Sequence, residues 1–561
     1  MTVTTSSSDT EPGDISVNSP VIWGSHVLTL RADNNIIVNA SLTSTGTTGS
    51  DGLILQYAQT TSSGTYTINS PINLAAGSLF QTQNGSSGPI TYKIITDVSA
   101  LQNMNADLSG RYALGSDIDA SATRNWNSGA GFAPVGNSSN AFSGSFEGLG
   151  HVVSGLSINR PSENNVGLFG YANGAIIIGN VSLSNASIIG NNSVGALVGA
   201  ANSTTINHAD ANGTIIGNDS VGGLLGYASY SLVTASFATG VVTGSGSRVG
   251  GLAGNVDNLS AVSDSYAEGR VRGASHVGGL IGYLGANSTA TYVYSTSDVT
   301  GGAYVGGLVG YNDGAVVESY ATGKLSGGSS ADTGGLIGYN SASGTVDRSY
   351  WDIETTGVST GCATNLGGCS ATGLTTAAAL LHQSYPGFSF WPAVPWGHWY
   401  GIHGYTRPFL RSEYSTIIRN SSASIDGDES QGQLRPCQQS RFRSPDRRQP
   451  LRYVGHEQPC GHRVFTGGLD RLQFLRNIRR RQSHDLRSRD QSPRQRTSWL
   501  VRHDKRQLDR ECWLARRLGQ RKLLHRRPDR PEHQRQHLAE LLCHRGHQWK
   551  LLRRWTHRLE R

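Results

Sequence analysis

An all-β fold, a right-handed parallel β-helix (β-solenoid) followed by a disordered basic tail, is what the sequence predicts, on three observations. Glycine supplies 72 of the 561 residues while charged residues make up only 15%. Glycine is costly inside a helix, whereas Ser, Thr, Asn and Gly punctuating Val, Ile, Leu and Tyr suit short strands and turns. Second, a phrase close to VGGLxG recurs and places Leu168, Leu197, Leu224, Leu252, Leu280, Leu308 and Leu336 at a nearly constant step, which becomes exactly equal from Leu224 onward. Third, this order stops near Asn420, beyond which Arg, His and Gln dominate.

The repeat dictates the architecture. Between the leucine phrases lies a second one, SFATG, SYAEG, VYSTS or SYATG, carrying Phe237, Tyr266, Tyr294 and Tyr320. A unit with so few large side chains and no helix cannot bury an apolar face alone. Stacking units solves this, because leucine then lies on leucine and each backbone pairs with the coils above and below. The leucines are expected to form one buried ladder, with neighbours about 5 Å apart as strand pairing requires. Phe237, Tyr266, Tyr294 and Tyr320 are expected to form a second, looser one. In chain order the expectation is an N-terminal β-helix segment over 1–95, lead-in coils over 96–163, the repeat solenoid over 164–352, an aromatic-rich closing segment over 353–420 and the tail over 421–561.

These phrases resemble a known family. VGGLVGYNDGAVVESYATG is similar to the GLUG repeat of large bacterial surface proteins. The flanking ISVNSPVIWGSHVLTLRADNNIIVNASL at 15–42, YALGSDIDAS from Tyr112, FAPVGNSSNAFSGSFEGLGHVVSGLSINRP from Phe132 and YTRPFLRSEYSTII from Tyr405 resemble filamentous haemagglutinin-type adhesins of two-partner secretion. The resemblance covers residues 15 to about 418. It implies a rod-like, non-catalytic adhesin, secreted or held at the bacterial cell surface, whose partners are a host-cell or matrix receptor or a glycan, and an outer-membrane transporter. The opening MTVTTSSSDTEPGDISVNSP has no basic region followed by an apolar run, so no signal peptide is read there, and no later stretch is apolar for long enough to span a membrane.

Charge separates the tail from the rest. Residues 421–561 hold 34 Lys+Arg against 15 Asp+Glu, a net +19, which leaves −11 for residues 1–420 out of a total of +8. A basic tail ordinarily points to nucleic acid. Here a different origin fits: WKLLRRWTHRL at 549–559, written with permitted codons and shifted by one base, reads GSYYVGGLIG. HDLRSRDQSP at 484–493 likewise shifts to TISGLAINRP, the partner of the in-frame VVSGLSINRP at 152–161. The tail is therefore read as out-of-frame repeat, expected to lack a fold and to bind no specific nucleic acid; nucleic-acid binding would be its function only if it were in frame.

Candidate chemistry is sparse. HEQPC at 456–460 has Cys where a zinc-protease helix needs its second histidine, and Pro459 would break that helix. GLGHVVSG at 148–155 lacks the spacing of a dinucleotide loop. Parallel β-helices also support carbohydrate-active lyases and hydrolases, so Asp210, Asp257, Asp264, Asp298, Asp313 and Glu318 are the carboxylates to weigh. They fall at changing repeat phases and are expected to be solvated turn residues, as are the isolated His208 and His276. No catalytic residue, metal or cofactor is assigned. Cys362 and Cys369, in GCATNLGGCS, either close a small loop or stay free thiols. Phe388, Phe390, Trp391, Trp396, Trp399, Tyr400 and Tyr405 would stack on sugars if exposed; the expectation is that they cover the end of the coil stack, where strand backbone would otherwise be unpaired.

Overall fold

Parallel pairing between successive coils organises nearly every strand of this computed structural model, which describes residues 1–5, 13–46, 49–61, 63–328, 332–390 and 397–413 together with the strands Ile425–Asp428 and Gln433–Pro436. The chain forms a β-solenoid of about 13 turns. Its first coils stack Thr2–Thr4, Val27–Arg31, Gly52–Tyr57 and Leu79–Asn84 in parallel on one face. Ile15–Val17, Ile36–Val38 and Tyr66–Ile68 stack on a second, and Val21–Trp23, Leu42–Ser44 and Ile72–Asn73 on a third. Alternation within each strand turns Leu28, Leu30, Leu53, Leu55 and Phe80 inward, where they have almost no exposed surface.

An antiparallel step between long strands of the solenoid follows. Ile90–Ile95 pairs antiparallel with Leu79–Asn84 on one side and parallel with Arg111–Leu114 on the other, so the chain reverses between the N-terminal coils and those that follow. Two separate apolar cores result. Polar groups bridge them: the Tyr66 hydroxyl donates to Glu147 at 2.8 Å, and His151 reaches the Ile72 carbonyl at 2.8 Å and Asp117 at 3.0 Å. Burial of Glu147 pushes its carboxyl up to about 7.

From Phe169 onward the coils are near copies. The first two are nearly continuous strands, Phe169–Ile189 and Val198–Gly217, whereas the coils of Leu252 and Leu280 each contribute a short strand at the VG pair, a strand after the leucine, a strand ending in the SYA or VYS phrase, and a fourth before the next VG. The VG pairs, Val221–Gly222, Ser247–Gly250, Ser275–Gly278, Ala303–Gly306 and Thr333–Gly334, form a sheet of their own. The leucine backbone climbs the rod through single hydrogen bonds: Leu224 N–H to Leu252 O at 3.0 Å, then Leu252 to Leu280, Leu280 to Leu308 and Leu308 to Leu336 at 2.9 Å each. Leu168, Leu197, Leu224, Leu252, Leu280, Leu308 and Leu336 are all fully buried.

The glycines of the phrase have a steric cause. A Cβ on Gly278 would lie 1.9 Å from the Ile281 carbonyl oxygen, one on Gly279 would lie 2.1 Å from the Gly307 carbonyl oxygen, and one on Gly282 would lie 2.4 Å from the Arg248 carbonyl carbon. Each obstacle is backbone, within the arc or in a neighbouring coil, and cannot swing away. Other corners turn left-handed without glycine. Asn165, Ser193, Ser220, Arg248, His276 and Tyr304 hold φ between 48° and 61°, one coil apart, and Asn180, His208, Ala235, Asp264, Tyr292, Glu318 and Arg348 do so at a second corner, between 45° and 55°. An L-residue in that region costs about 1–2 kcal/mol, which inter-coil pairing must offset.

The chain divides into units Met1–Phe442 and Arg443–Arg561. The second lies outside the described residues, as do HEQPC and the tail reading, apart from the antiparallel pair Ile425–Asp428 and Gln433–Pro436. Among the described residues no helix is long and apolar enough to cross a membrane.

The packing around the glycines predicts that Gly278→Ala lowers unfolding stability by about 2–3 kcal/mol, in the range of overpacked cores. Gly88→Ala, where a Cβ would meet nothing within 4 Å, should stay within about 0.5 kcal/mol. Urea unfolding followed by circular dichroism distinguishes the two.

Candidate functional site: two aromatic faces

Two outward columns of aromatic rings run along the repeat coils, one covered and one open. The covered column is the SYA phrase. In-register pairing superposes Phe237, Tyr266, Tyr294, Tyr320 and Tyr350. The first four rings stack at centroid separations of 4.7, 4.9 and 5.0 Å with planes 2–7° apart. Phe237 is half-buried and the tyrosines are buried.

What buries them is the segment after the last coil. It folds back along the side of the rod, bringing Ala379, Tyr385, Phe388, Trp399 and Leu410 into one cluster with the tyrosines and with Leu374 of the last coil. Phe388 stacks on Trp399 at 4.5 Å, and Trp399 lies 5.6 Å from Tyr320. The phenol hydroxyls then find partners on this segment: Tyr294 donates to Glu413 at 2.9 Å, Tyr320 to the Pro408 carbonyl and Tyr350 to the Pro386 carbonyl at 2.7 Å. The expectation that the aromatic segment covers the end of the stack is thereby corrected: its rings cover a flank, where stacked phenols offer both apolar area and hydroxyls. Trp391 and Trp396 lie outside the described residues, and Tyr405 is exposed.

Polar contacts fasten the segment. His398 stacks on Tyr292 at 3.6 Å and meets Asp264 at 2.6 Å, both ring and carboxylate coming from the left-handed corner column. Arg407 pairs with the buried Asp352. Burial opposes ionisation of that carboxyl, but hydrogen bonds from Thr355, Arg407 and Thr376 outweigh it and hold Asp352 below the usual carboxylate range. Glu413 is the reverse case. It accepts from Tyr294 and from the Leu410 N–H, yet burial dominates and pushes it up to about 8.

The carboxylates expected in solvated turns are mostly engaged. Glu318 is only 6% exposed and sits 3.2 Å from Arg348. Asp264 holds His398, Asp210 accepts from Ser182 at 2.6 Å, and Asp313 accepts from Tyr283 at 2.7 Å. Asp257 is half-buried; Asp298 and His208 are exposed. His276 is not isolated but packs against Tyr304 and Tyr311, each at 5.2 Å. Among the described residues no cluster of three His, Cys, Asp or Glu could hold a metal. Cys362 and Cys369 form a disulfide in the last coil, Cα atoms 6.6 Å apart.

The open column follows each leucine phrase. Register places Tyr171, Ala200, Tyr227, Asn255, Tyr283, Tyr311 and Tyr339 above one another. Tyr283, Tyr311 and Tyr339 stack at 5.4 and 4.6 Å and are half-buried. Beside them run Arg248, His276 and Tyr304 from the left-handed corner. The recurrent Tyr after GLxG was a readable signal for this column. Nothing in the order of the residues marked Glu413, Arg407 or His398, because their partners are 55 to 134 residues away.

The fold and these faces define a β-solenoid that carries GLUG motifs. The GLUG motif matches residues 245–272 and 301–326, the coils of Leu252 and Leu308. Halomucin from Haloquadratum walsbyi (strain DSM 16790 / HBSQ001) is 42% identical over 132 residues, which are 22% of this chain; the match spans 1% of Halomucin's own length. A candidate immunoglobulin A1 protease from Bacteroides ovatus aligns over 57% of this chain and 93% of its own, at 18% identity and a TM-score of 0.38. A second structure, IgA1 Protease, aligns over 52% of this chain and 23% of its own, at 17% identity and a TM-score of 0.31. Correspondence at that level carries no argument about function.

The fastening of the closing segment predicts a pH window. A carboxyl raised in the folded state contributes stability that is full below its unfolded pKa and lost as pH rises toward about 8 for Glu413. Asp352, held low, loses its contribution as pH falls. Tryptophan emission of the full chain should therefore red-shift between pH 7 and 9, a shift that Glu413→Gln abolishes because the amide stays neutral.

Proposed function

We propose that this chain forms part of a secreted or surface-exposed, rod-like adhesin that attaches through its flank and catalyses nothing. The observation that carries the reading is the contrast between the two aromatic columns: one is covered by the chain's own closing segment, and the other stays open to a partner. The GLUG motifs and the Halomucin-like stretch support a place among surface proteins. Export by two-partner secretion, through an outer-membrane transporter, completes this reading as the flanking phrases imply it. A carbohydrate-active enzyme would need carboxylates free to exchange protons, whereas Asp264 and Glu318 are each held by a cationic or imidazole side chain.

Beads coated with the full chain should adhere to glycan-bearing or matrix-coated surfaces more than beads coated with Leu280→Asp, whose buried charge breaks the coil stack. Equal adhesion of the two, or release of reducing sugar from polysaccharide by the purified chain, would refute the reading. The out-of-frame origin of residues 421–561 is part of the same proposal. The nucleotide sequence should show GLUG phrases in the one-base-shifted frame after codon 420, and stop codons there would reject it.

A further inference from the structure

The open face is built from two rows whose rings lie in different planes. Each corner residue packs on the open-column tyrosine one coil further on: the Arg248 guanidinium 5.7 Å from the Tyr283 centroid, the His276 ring 5.2 Å from Tyr311, and the Tyr304 ring 5.1 Å from Tyr339. Tyr311 and Tyr339 lie face to face, 17° apart. Tyr304 stands at 88° to the first and 71° to the second, and His276 at 62° to Tyr311. A ring set beside a stack and perpendicular to both members meets their edges with one of its faces. His276 and Tyr304 are only 31° apart, 5.2 Å between centroids. They form a short wall along the rod, one side resting on phenol edges, and both residues are half-buried.

Such a wall offers the electron-rich faces of two rings, held by rigid coils at little conformational cost. Its rim supplies hydrogen-bonding groups: the Tyr283 hydroxyl with Asp313, Ser275 Oγ 3.2 Å from His276 Nδ1, and Asp219 3.3 Å from Arg248. Resting on the attachment reading above, we propose that the His276–Tyr304 wall binds an uncharged oligosaccharide, the C–H face of a pyranose lying on each ring and its hydroxyls reaching the rim. The rim argues against an anion, since Asp219 and Asp313 are carboxylates and Arg248 is engaged with Asp219 and Tyr283. Burial, and then the charge of Arg248, hold the His276 imidazole below its ordinary pKa, so near neutral pH it stacks as an uncharged ring.

Affinity electrophoresis of the full chain tests this, in gels containing laminarin, galactomannan or dextran and in parallel gels containing heparin. Retardation is expected in at least one neutral gel. Tyr304→Asn and His276→Asn remove a ring while keeping a residue that tolerates left-handed φ, and each should weaken retardation about tenfold or more, as loss of a stacked ring does. Tyr304→Phe, which keeps the ring, and Tyr230→Asn, at an exposed left-handed position elsewhere, should migrate as the parent does. Circular dichroism identifies any variant that fails to fold; if Tyr304→Asn does, His276→Asn decides. No retardation in any neutral gel, retardation by heparin alone, or retardation indifferent to both ring removals overturns the site. Beads that adhere to a protein-coated surface while neutral gels fail to retard the chain would overturn the sugar site and leave attachment standing. Retardation without bead adhesion would do the opposite.

Discussion

Register between coils is the constraint on which the rest depends. Each turn must close one strand spacing above its start, so that Leu224, Leu252, Leu280, Leu308 and Leu336 can hand one hydrogen bond to the next. That closure forces backbone against backbone at Gly278, Gly279 and Gly282, where a Cβ has nowhere to go. The same closure imposes left-handed corners on residues as ill-suited as Tyr304, Tyr292 and Arg348. These strained corners recur coil after coil, so strain alone does not mark a functional residue here, although strain elsewhere often does.

Register also creates the two faces. Once equivalent residues superpose, any outward aromatic that recurs becomes a stack, whether or not it has a partner. The SYA stack acquires its partner from the same chain. Its hydroxyls lie in a row, and a single segment satisfies those of Tyr294, Tyr320 and Tyr350 in turn. Covering them draws the half-buried Glu413 against the Tyr294 hydroxyl and the Leu410 N–H, and desolvation there raises its pKa. The stack after GLxG keeps its outer edge in solvent because the neighbouring corner supplies only Arg248, His276 and Tyr304, which line it without closing over it.

The sequence revealed what repeats and hid what does not. Buried leucines at a constant step are legible because a solenoid converts sequence period directly into spatial contact. The reversal at Ile90–Ile95 is a single event with no period, and it passed unseen. The aromatic segment was recognised as something that covers, but its place was misjudged. An open coil end and a flank of stacked phenols both bury aromatic rings, and only the positions of Asp264, Tyr292 and Asp352 decide between them. Glu318 was misread for a related reason: a carboxylate near a glycine-rich corner reads as solvated until Arg348, one coil away, is placed beside it.

The irregularities of the repeat follow from the same constraint. The step from Tyr294 to Tyr320 is shorter than the leucine step and that from Tyr320 to Tyr350 is longer, yet both pairs are in register. The shortfall lies in one turn: Asp313–Gly314 spans the corner that Gly285–Ser288 spans in the coil before, with Asp313 N–H on Leu284 O and Ala315 N–H on Ser288 O marking where the two paths rejoin. The surplus lies partly between Tyr320 and Leu336, a longer path than the one from Tyr294 to Leu308 in the coil before. Length changes in arcs and at bulges such as those between Asn173 and Ile176 and between Val346 and Ser349, because a one-residue change within a regular strand would turn its inward side chains outward. A solenoid of this kind can therefore vary the loops and corner residues it displays while its ladders stay fixed, which is the property a surface that must present different side chains along one rigid rod requires.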